Sequence, residues 1–272
     1  MPELLEDEWQ PVTVPEFSGK GSAFEAIKTH GCVPAFLPYH SFDCIINLLN
    51  EAADDPDVLA IKQTLYRVGS SSPVVDALRR AAENGKQVTA VIELRARFDE
   101  GNNIRRAKAL EESGAHVVYG VSGLKVHAKA LLIVRREKGG LKQYCHLATG
   151  NYNARTARQY TDIGIFTTDP GLCRDTAALF NVLTGCSKEP DWNCAACAPY
   201  TLRKRFEELI RREMAFAKAG LPAKITAKMN SFSDENMVRL LHEAAECGVE
   251  IQLVVRGICC FRKSRKEKNV RI

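Results

Sequence analysis

Aromatic residues are scarce in this sequence: Phe, Trp and Tyr together make 7%, and there are two tryptophans. No aromatic stacking platform for a single strand is visible, nor a groove-reading helix, so nucleic acid is not an expected partner. Long apolar runs are also missing, and none approaches the ~18 residues of a membrane span. The first residues, Met1-Pro2-Glu3-Leu4-Leu5-Glu6-Asp7-Glu8, are acidic and hold no apolar core, so no signal peptide is expected and the reading is a soluble, cytoplasmic protein. The ten cysteines lack metal-site spacing. Only Cys194-Ala195-Ala196-Cys197 and Cys259-Cys260 are close together, and no second ligand pair stands near Cys194. They are expected to be reduced and used as small apolar side chains.

What remains is an ordinary globular composition, 45% hydrophobic and 26% charged over 272 residues, enough for two domains. The net charge of +5 weakly favours a polyanionic partner.

Residues 1–41 carry Pro2, Pro11, Pro15, Pro34 and Pro38 and read as a lead-in from a preceding domain, with one helical patch around Ala23–Thr29. Phe42–Ala53 has helical spacing. Strand–helix–strand alternation then runs through Val58–Ile61, Pro73–Ala82, Val88–Ile92, Asn103–Ser113 and Val117–Tyr119. Further strands follow at Ala128–Val134 and Tyr144–Leu147, joined by a polar hairpin. The pattern predicts an α/β fold with a largely parallel sheet over residues 42–185. Residues 186–199 read as a linker. A basic helix at Thr201–Ala219 opens the last region, 200–272.

That region repeats the first. Val74–Gly85 aligns with Met237–Gly248, Val88–Ile92 with Ile251–Val255, and Phe98 with Phe261. The preceding strands also match, Ile61-Lys62 against Ala227-Lys228. The first copy continues past Arg97 to His127-Ala128-Lys129, whereas the counterpart of that segment would fall beyond Ile272. The second unit is therefore expected to be incomplete, one sheet edge short, and prone to association.

His127 and Lys129 carry the first chemical signal. Residues two apart on a strand share a face, so imidazole and ammonium are expected in one pocket. The imidazole is a potential nucleophile toward phosphorus, and the lysine keeps it neutral and holds a phosphate oxygen. Downstream, Thr149-Gly150-Asn151-Tyr152-Asn153 offers close backbone approach and two amide donors, Asn151 and Asn153. A His-x-Lys followed by Gly-x-x-Asn is the arrangement of the phospholipase D superfamily. Its phosphodiesterases place an acidic residue where Val134 stands, and usually a serine where Asn151 stands, which speaks against phosphodiester hydrolysis. Arg67 and Arg97 follow predicted strands at their carboxyl ends, where α/β sheets bind ligands and guanidinium groups clamp phosphate. Arg95 is read as a surface residue paired with Glu93, Asp99 or Glu100. His30, His40, His116 and His242 stand outside any cluster, and His146 is read as core or pocket wall.

Taken in order, Leu59–Arg67, Glu93–Glu100, Gly123–Lys129, Thr149–Asn153, Tyr160-Thr161-Asp162 and Val254–Cys259 resemble the successive signatures of the long, multidomain bacterial polyphosphate kinases. The resemblance runs from about Phe24 to Phe261, over most of the chain. It implies two phospholipase D-like α/β domains and an ATP:polyphosphate phosphotransferase working reversibly through a phosphohistidine at His127. Lys129, Asn151 and Asn153 would join His127 in catalysis. The resemblance also implies that Arg67 and Arg97 sit at the magnesium and phosphate site, touching Mg2+ through shared phosphates. Tyr160 and Arg256 would contact the nucleotide. ATP/ADP and inorganic polyphosphate are the expected partners, in a homo-oligomeric full-length protein. The alternative is a polyphosphate- or nucleotide-binding module without turnover.

Overall fold

The computed structural model describes residues 9–19, 21–66, 72–93, 100–121, 123–187 and 190–272, with the side chains of Glu100 and Asn102 outside that description. The chain forms two compact units, Met1–Ala195 and Ala196–Ile272.

The first unit runs α1 (Ala23–His30), β1 (Cys32–Leu37), α2 (Asp43–Asp54), β2 (Val58–Leu65), α3 (Pro73–Glu83), β3 (Gln87–Ile92), α4 (Glu100–Glu112) and β4 (His116–Tyr119). It continues with β5 (Lys129–Glu137), β6 (Gly140–Ala148), α5 (Ala154–Ala157), β7 (Asp162–Thr167) and α6 (Pro170–Leu183). Local chemistry accounts for the helices. In α3, Pro73 pre-sets the first turn and the Ser72 hydroxyl accepts the Val75 N–H at 3.4 Å. Val74, Val75, Ala77, Leu78 and Ala81 supply its buried face, and the chain turns at Gly85 with φ +80. In α2 the buried stripe is Cys44, Ile45, Leu48, Leu49, Ala52 and Ala53.

The strands make one seven-stranded sheet in the order β1-β7-β6-β5-β2-β3-β4. Its parallel part is confined to β2, β3 and β4; every other pairing is antiparallel. This corrects the expectation of a largely parallel sheet. The tight β5–β6 hairpin, with Gly140 at φ +117, forces one reversal, and β5 also runs antiparallel to β2, as β7 does to β6 and β1. A second correction concerns Cys32–Leu37, placed by the sequence in an extended lead-in. It is the edge strand β1, paired with β7, and buries Val33, Ala35 and Leu37 in strict alternation. Pro34 is tolerated because β1 lies at the edge. Helices α1 to α4 pack around one core on one face, with Phe24, Leu49, Leu78 and Leu110. Helix α6 covers the other face through Cys173 and Phe180 against Val91, Ala130, Leu132 and Cys145.

The second unit contains α7 (Leu202–Lys218), β8 (Lys224–Met229), α8 (Glu235–Glu246), β9 (Glu250–Val255) and β10 (Val270–Arg271). Its three strands are all parallel, in the order β10-β9-β8. Asp234 caps α8 by accepting the Met237 N–H at 3.0 Å. The internal repeat is visible as structure: β2-α3-β3 and β8-α8-β9 are the same motif. The strand register differs from the sequence alignment, however. Ile61 faces Val88 as Ile225 faces Ile251, so Ile225 is the structural counterpart of Ile61, in place of Ala227. The tail is also unlike the expectation. Strand β10 pairs with β9 and covers that edge, and Asn269 donates from Nδ2 to the carbonyls of Ala245 at 2.9 Å and Val249 at 2.7 Å.

Of the ten cysteines, Cys44, Cys145 and Cys173 are packed inside, while the other seven are exposed or half-exposed. Among the described residues no helix is long and apolar enough to cross a membrane.

Candidate active site

The amino end of β5 lies beside the carboxyl ends of β2 and β3, and the segment leading into it, residues 125–128, is irregular. His127 is exposed there, and Lys129 is 6% exposed. Despite this difference their side chains meet: Lys129 Nζ is 3.0 Å from His127 Nδ1 and also donates to the His127 carbonyl. Tyr66, at the end of β2, completes the group. Its ring meets the imidazole edge-on at 5.0 Å between centroids. The ammonium groups of Lys125 and Lys129 stand 5.3 and 5.2 Å from its centre.

Burial pushes the Lys129 amine down to about 8, against the opposing pull of the Asp162 carboxylate. Asp162 opens β7 and accepts the Thr149 hydroxyl at 2.8 Å, which ties it to the base of the Gly150–Asn153 loop. The loop is tightly fitted: a Cβ on Gly150 would stand 2.8 Å from Asp162 Oδ2. Asn153 is an N-cap, its Oδ1 accepting the N–H groups of Arg155 and Thr156, both at 3.1 Å. Asn151 Oδ1 is buried and has no hydrogen-bond partner among the described residues.

Beneath the loop, His146 is 1% exposed, and burial pushes it down to about 3. Its Nδ1 is 2.9 Å from the Tyr152 hydroxyl, which in turn donates to the His146 carbonyl at 3.2 Å. Since that hydroxyl has one proton, Nδ1–H is the donor to it, and the neutral ring carries its lone pair on Nε2.

The structure thus brings His127 and Lys129 into contact, and it links Lys129 to the asparagine loop through Asp162. Tyr160 is 38% exposed after α5. Arg256 belongs to the second unit, where Asn230 Oδ1 accepts from its Nε at 3.1 Å and Nη2 at 2.8 Å. Arg67, Arg95 and Arg97 lie outside the described residues. Sequence reading missed the roles of Tyr66 and Asp162, although both stood inside segments it had singled out. It also took Glu93 for a surface partner of arginine, whereas Glu93 is 3% exposed.

Among the described residues no three His, Cys, Asp or Glu side chains gather as a metal site. Asp162 accepts the Thr149 hydroxyl, and Glu93 accepts a backbone N–H.

Fold and site together define a class, an α/β chain with a mixed sheet and a histidine–lysine pair where β5 begins beside the carboxyl end of β2. A phosphatidylserine synthase from Haemophilus influenzae shares the fold at 12% identity, with a TM-score of 0.53 over 82% of this chain and 61% of that one. Residues 22–189 match the family model for polyphosphate kinase C-terminal domain 1, and residues 196–272 match that for polyphosphate kinase C-terminal domain 2. The chain belongs to the polyphosphate kinase family. It is 49% identical to polyphosphate kinase 1 of Chlorobaculum tepidum over 261 residues, which is 96% of this chain and 37% of that protein. The solved polyphosphate kinase of Porphyromonas gingivalis is similar at 36% identity and a TM-score of 0.89, covering 99% of this chain and 45% of the other. The chain therefore spans less than half the length of these relatives.

Proposed function

We propose that this chain carries the phosphohistidine step of a polyphosphate kinase, acting in the cytoplasm on ATP and inorganic polyphosphate. The carrying observation is the 3.0 Å contact between Lys129 Nζ and His127 Nδ1. It engages Nδ1, and on this reading Nε2 is the nitrogen that meets phosphorus. While Lys129 is an ammonium, Nδ1 accepts from it and the ring proton sits on Nε2. Once Lys129 is neutral, Nδ1–H donates to the amine, and on this reading the attacking lone pair is the one on Nε2. A lysine poised at about 8 makes that second state accessible near neutral pH.

In the forward direction Nε2 bonds to the terminal phosphorus of ATP. The bond from that phosphorus to the bridging oxygen breaks, and ADP leaves with the electron pair. In the second step a terminal phosphate oxygen of polyphosphate attacks the same phosphorus, the N–P bond breaks, and the imidazole is restored. Asn151, Asn153, Arg67 and Arg97 serve on this reading as phosphate-binding groups, with Tyr160 and Arg256 on the nucleotide. Magnesium enters with the nucleotide as the counter-ion of its phosphates. A guanidinium has no lone pair for a metal, so the arginines reach it only through shared phosphate oxygens.

The test is incubation with γ-labelled ATP and magnesium, on the wild type and on His127→Ala. Acid-labile label on the wild type that is absent from the variant is the expected result. A folded wild type that takes no label overturns the proposal and leaves a polyphosphate- or nucleotide-binding module.

A further inference from the structure

The irregular segment that carries His127 has neither helix nor ladder of its own, so its backbone groups must find partners elsewhere. Two buried side chains from neighbouring strands supply them. The Thr64 hydroxyl, at 3% exposure on β2, donates to the Ala128 carbonyl at 2.8 Å and accepts the Ala130 N–H at 3.0 Å. The Glu93 carboxylate, just past β3, accepts the Val126 N–H at 2.8 Å through Oε2. These contacts grip the chain on both sides of His127.

Glu93 is itself held. Its N–H donates to the Leu65 carbonyl at 2.9 Å. Asn103, fully buried on α4, donates from Nδ2 to the carbonyls of Glu93 at 2.9 Å and Tyr66 at 3.0 Å. One amide thus links the two strand ends that present Glu93 and Tyr66, and Tyr66 is the ring against which His127 packs. A buried carboxylate is costly unless hydrogen-bonded, and an acceptor alone could have come from a neutral side chain. What Glu93 contributes is a fixed acceptor immediately before the residue on which the chemistry depends.

We infer that Glu93 is a positioning residue for the reaction at His127, holding the Val126 N–H so that the imidazole stays against Lys129 and Tyr66. It acts through the backbone of the residue that precedes His127. The inference rests on the phosphohistidine reading for its effect on rate, but not for its effect on structure.

The experiment therefore has two readouts on the full chain, applied to Glu93→Ala and Glu93→Gln. The first is residue-resolved amide hydrogen exchange over residues 123–130, which requires no turnover. Glu93→Ala is expected to raise exchange at Val126 by about tenfold or more, and Glu93→Gln, which keeps an acceptor oxygen, by less than about threefold. The second is label uptake from γ-labelled ATP. Glu93→Ala is expected to lower the maximal rate by about tenfold or more while the half-saturating ATP concentration moves by less than about twofold, with Glu93→Gln restoring most of the rate. Unchanged exchange at Val126 in Glu93→Ala overturns the inference. So does faster exchange with an unaltered rate, or an equal loss of rate in both variants. If the wild type takes no label, the exchange result still decides whether Glu93 holds the segment, and the failure belongs to the phosphohistidine reading.

Discussion

Lys129 Nζ lies 3.0 Å from Nδ1 of His127, so a buried amine and an exposed imidazole share one proton network. The amine is held at about 8 against an ordinary 10.5, with burial the larger cause. The unfolded chain therefore keeps its proton on this lysine over a range where the folded chain has lost it. Between about pH 8 and 10.5 stability rises with pH, and below about pH 8 the cost of burying the ammonium is fully present, up to about 3 kcal/mol. Urea denaturation of the wild type and Lys129→Met at pH 7 and pH 10 checks this. The rise between the two pH values is expected to be smaller in the variant by about that amount.

The same protonation governs the chemistry. The rate of label uptake at saturating ATP is expected to increase with pH, with a midpoint at or above about 8, since bound phosphate favours the ammonium form. Single-turnover labelling between pH 6.5 and 9.5 measures it. A rate that falls as pH rises would mean that the ammonium is the working form.

Gly164 makes room for His146. A Cβ at Gly164 would stand 2.5 Å from His146 Nε2, and the imidazole is held from its other side by Tyr152. Gly164→Ala is expected to cost about 1–3 kcal/mol. In a His146→Ala background the same change should cost at least about 1 kcal/mol less, because the clashing ring is gone. A double-mutant cycle by denaturant unfolding gives the coupling directly.

Asp175, on α6 and 2% exposed, is the anchor of the segment that follows. Its carboxylate accepts the N–H groups of Cys194 and Ala195 at 2.7 Å, and that of Asn193 at 3.1 Å. Burial alone would raise its pKa, but those N–H groups outweigh burial and hold it below the usual range. Its contribution is thus present above about pH 4 and lost as pH falls through the lowered value. Asp175→Ala is expected to cost about 3 kcal/mol and to speed proteolysis within residues 186–199, with Asp175→Asn in between. Limited proteolysis at pH 7 with peptide mapping reads the effect.

Much of this organisation was legible from local chemistry. Apolar periodicity, Pro73 at a first turn and glycines such as Gly85 and Gly248 mark α2, α3, α4, α7 and α8 without reference to partners. The β2-α3-β3 motif and its second copy follow from a repeat that any comparison of the two segments reveals. His127 and Lys129 meet as expected, but not for the expected reason: His127 lies in the irregular segment before β5, so no shared strand face brings them together. His146 was placed in the core or at a pocket wall.

Other features had no local signal, or one that pointed elsewhere. Pro34 conceals β1, because a proline is acceptable in a strand only when that strand is at an edge, and edge status is a property of the sheet. Gly164 interrupts the pattern of β7, and its reason for being there is the ring of His146 on another strand. Direction of pairing was legible only at the β5–β6 hairpin. Elsewhere alternating burial reads the same in parallel and antiparallel strands, so the rest of the mixed sheet emerged only from long-range contacts. The alignment of Ile61 with Ala227 failed on the same ground, since register is set by the neighbouring strand.

By itself the sequence determined the residues that can do chemistry and the helices that frame them, because those depend on side-chain type and on spacing along one segment. Only the tertiary structure decided that Lys129 is buried enough to lose its proton near pH 8, and that Glu93 turns inward to hold Val126. Burial and the choice of hydrogen-bond partner are set by whatever else fills the surrounding space, and in this chain that is supplied by strands and helices remote in sequence.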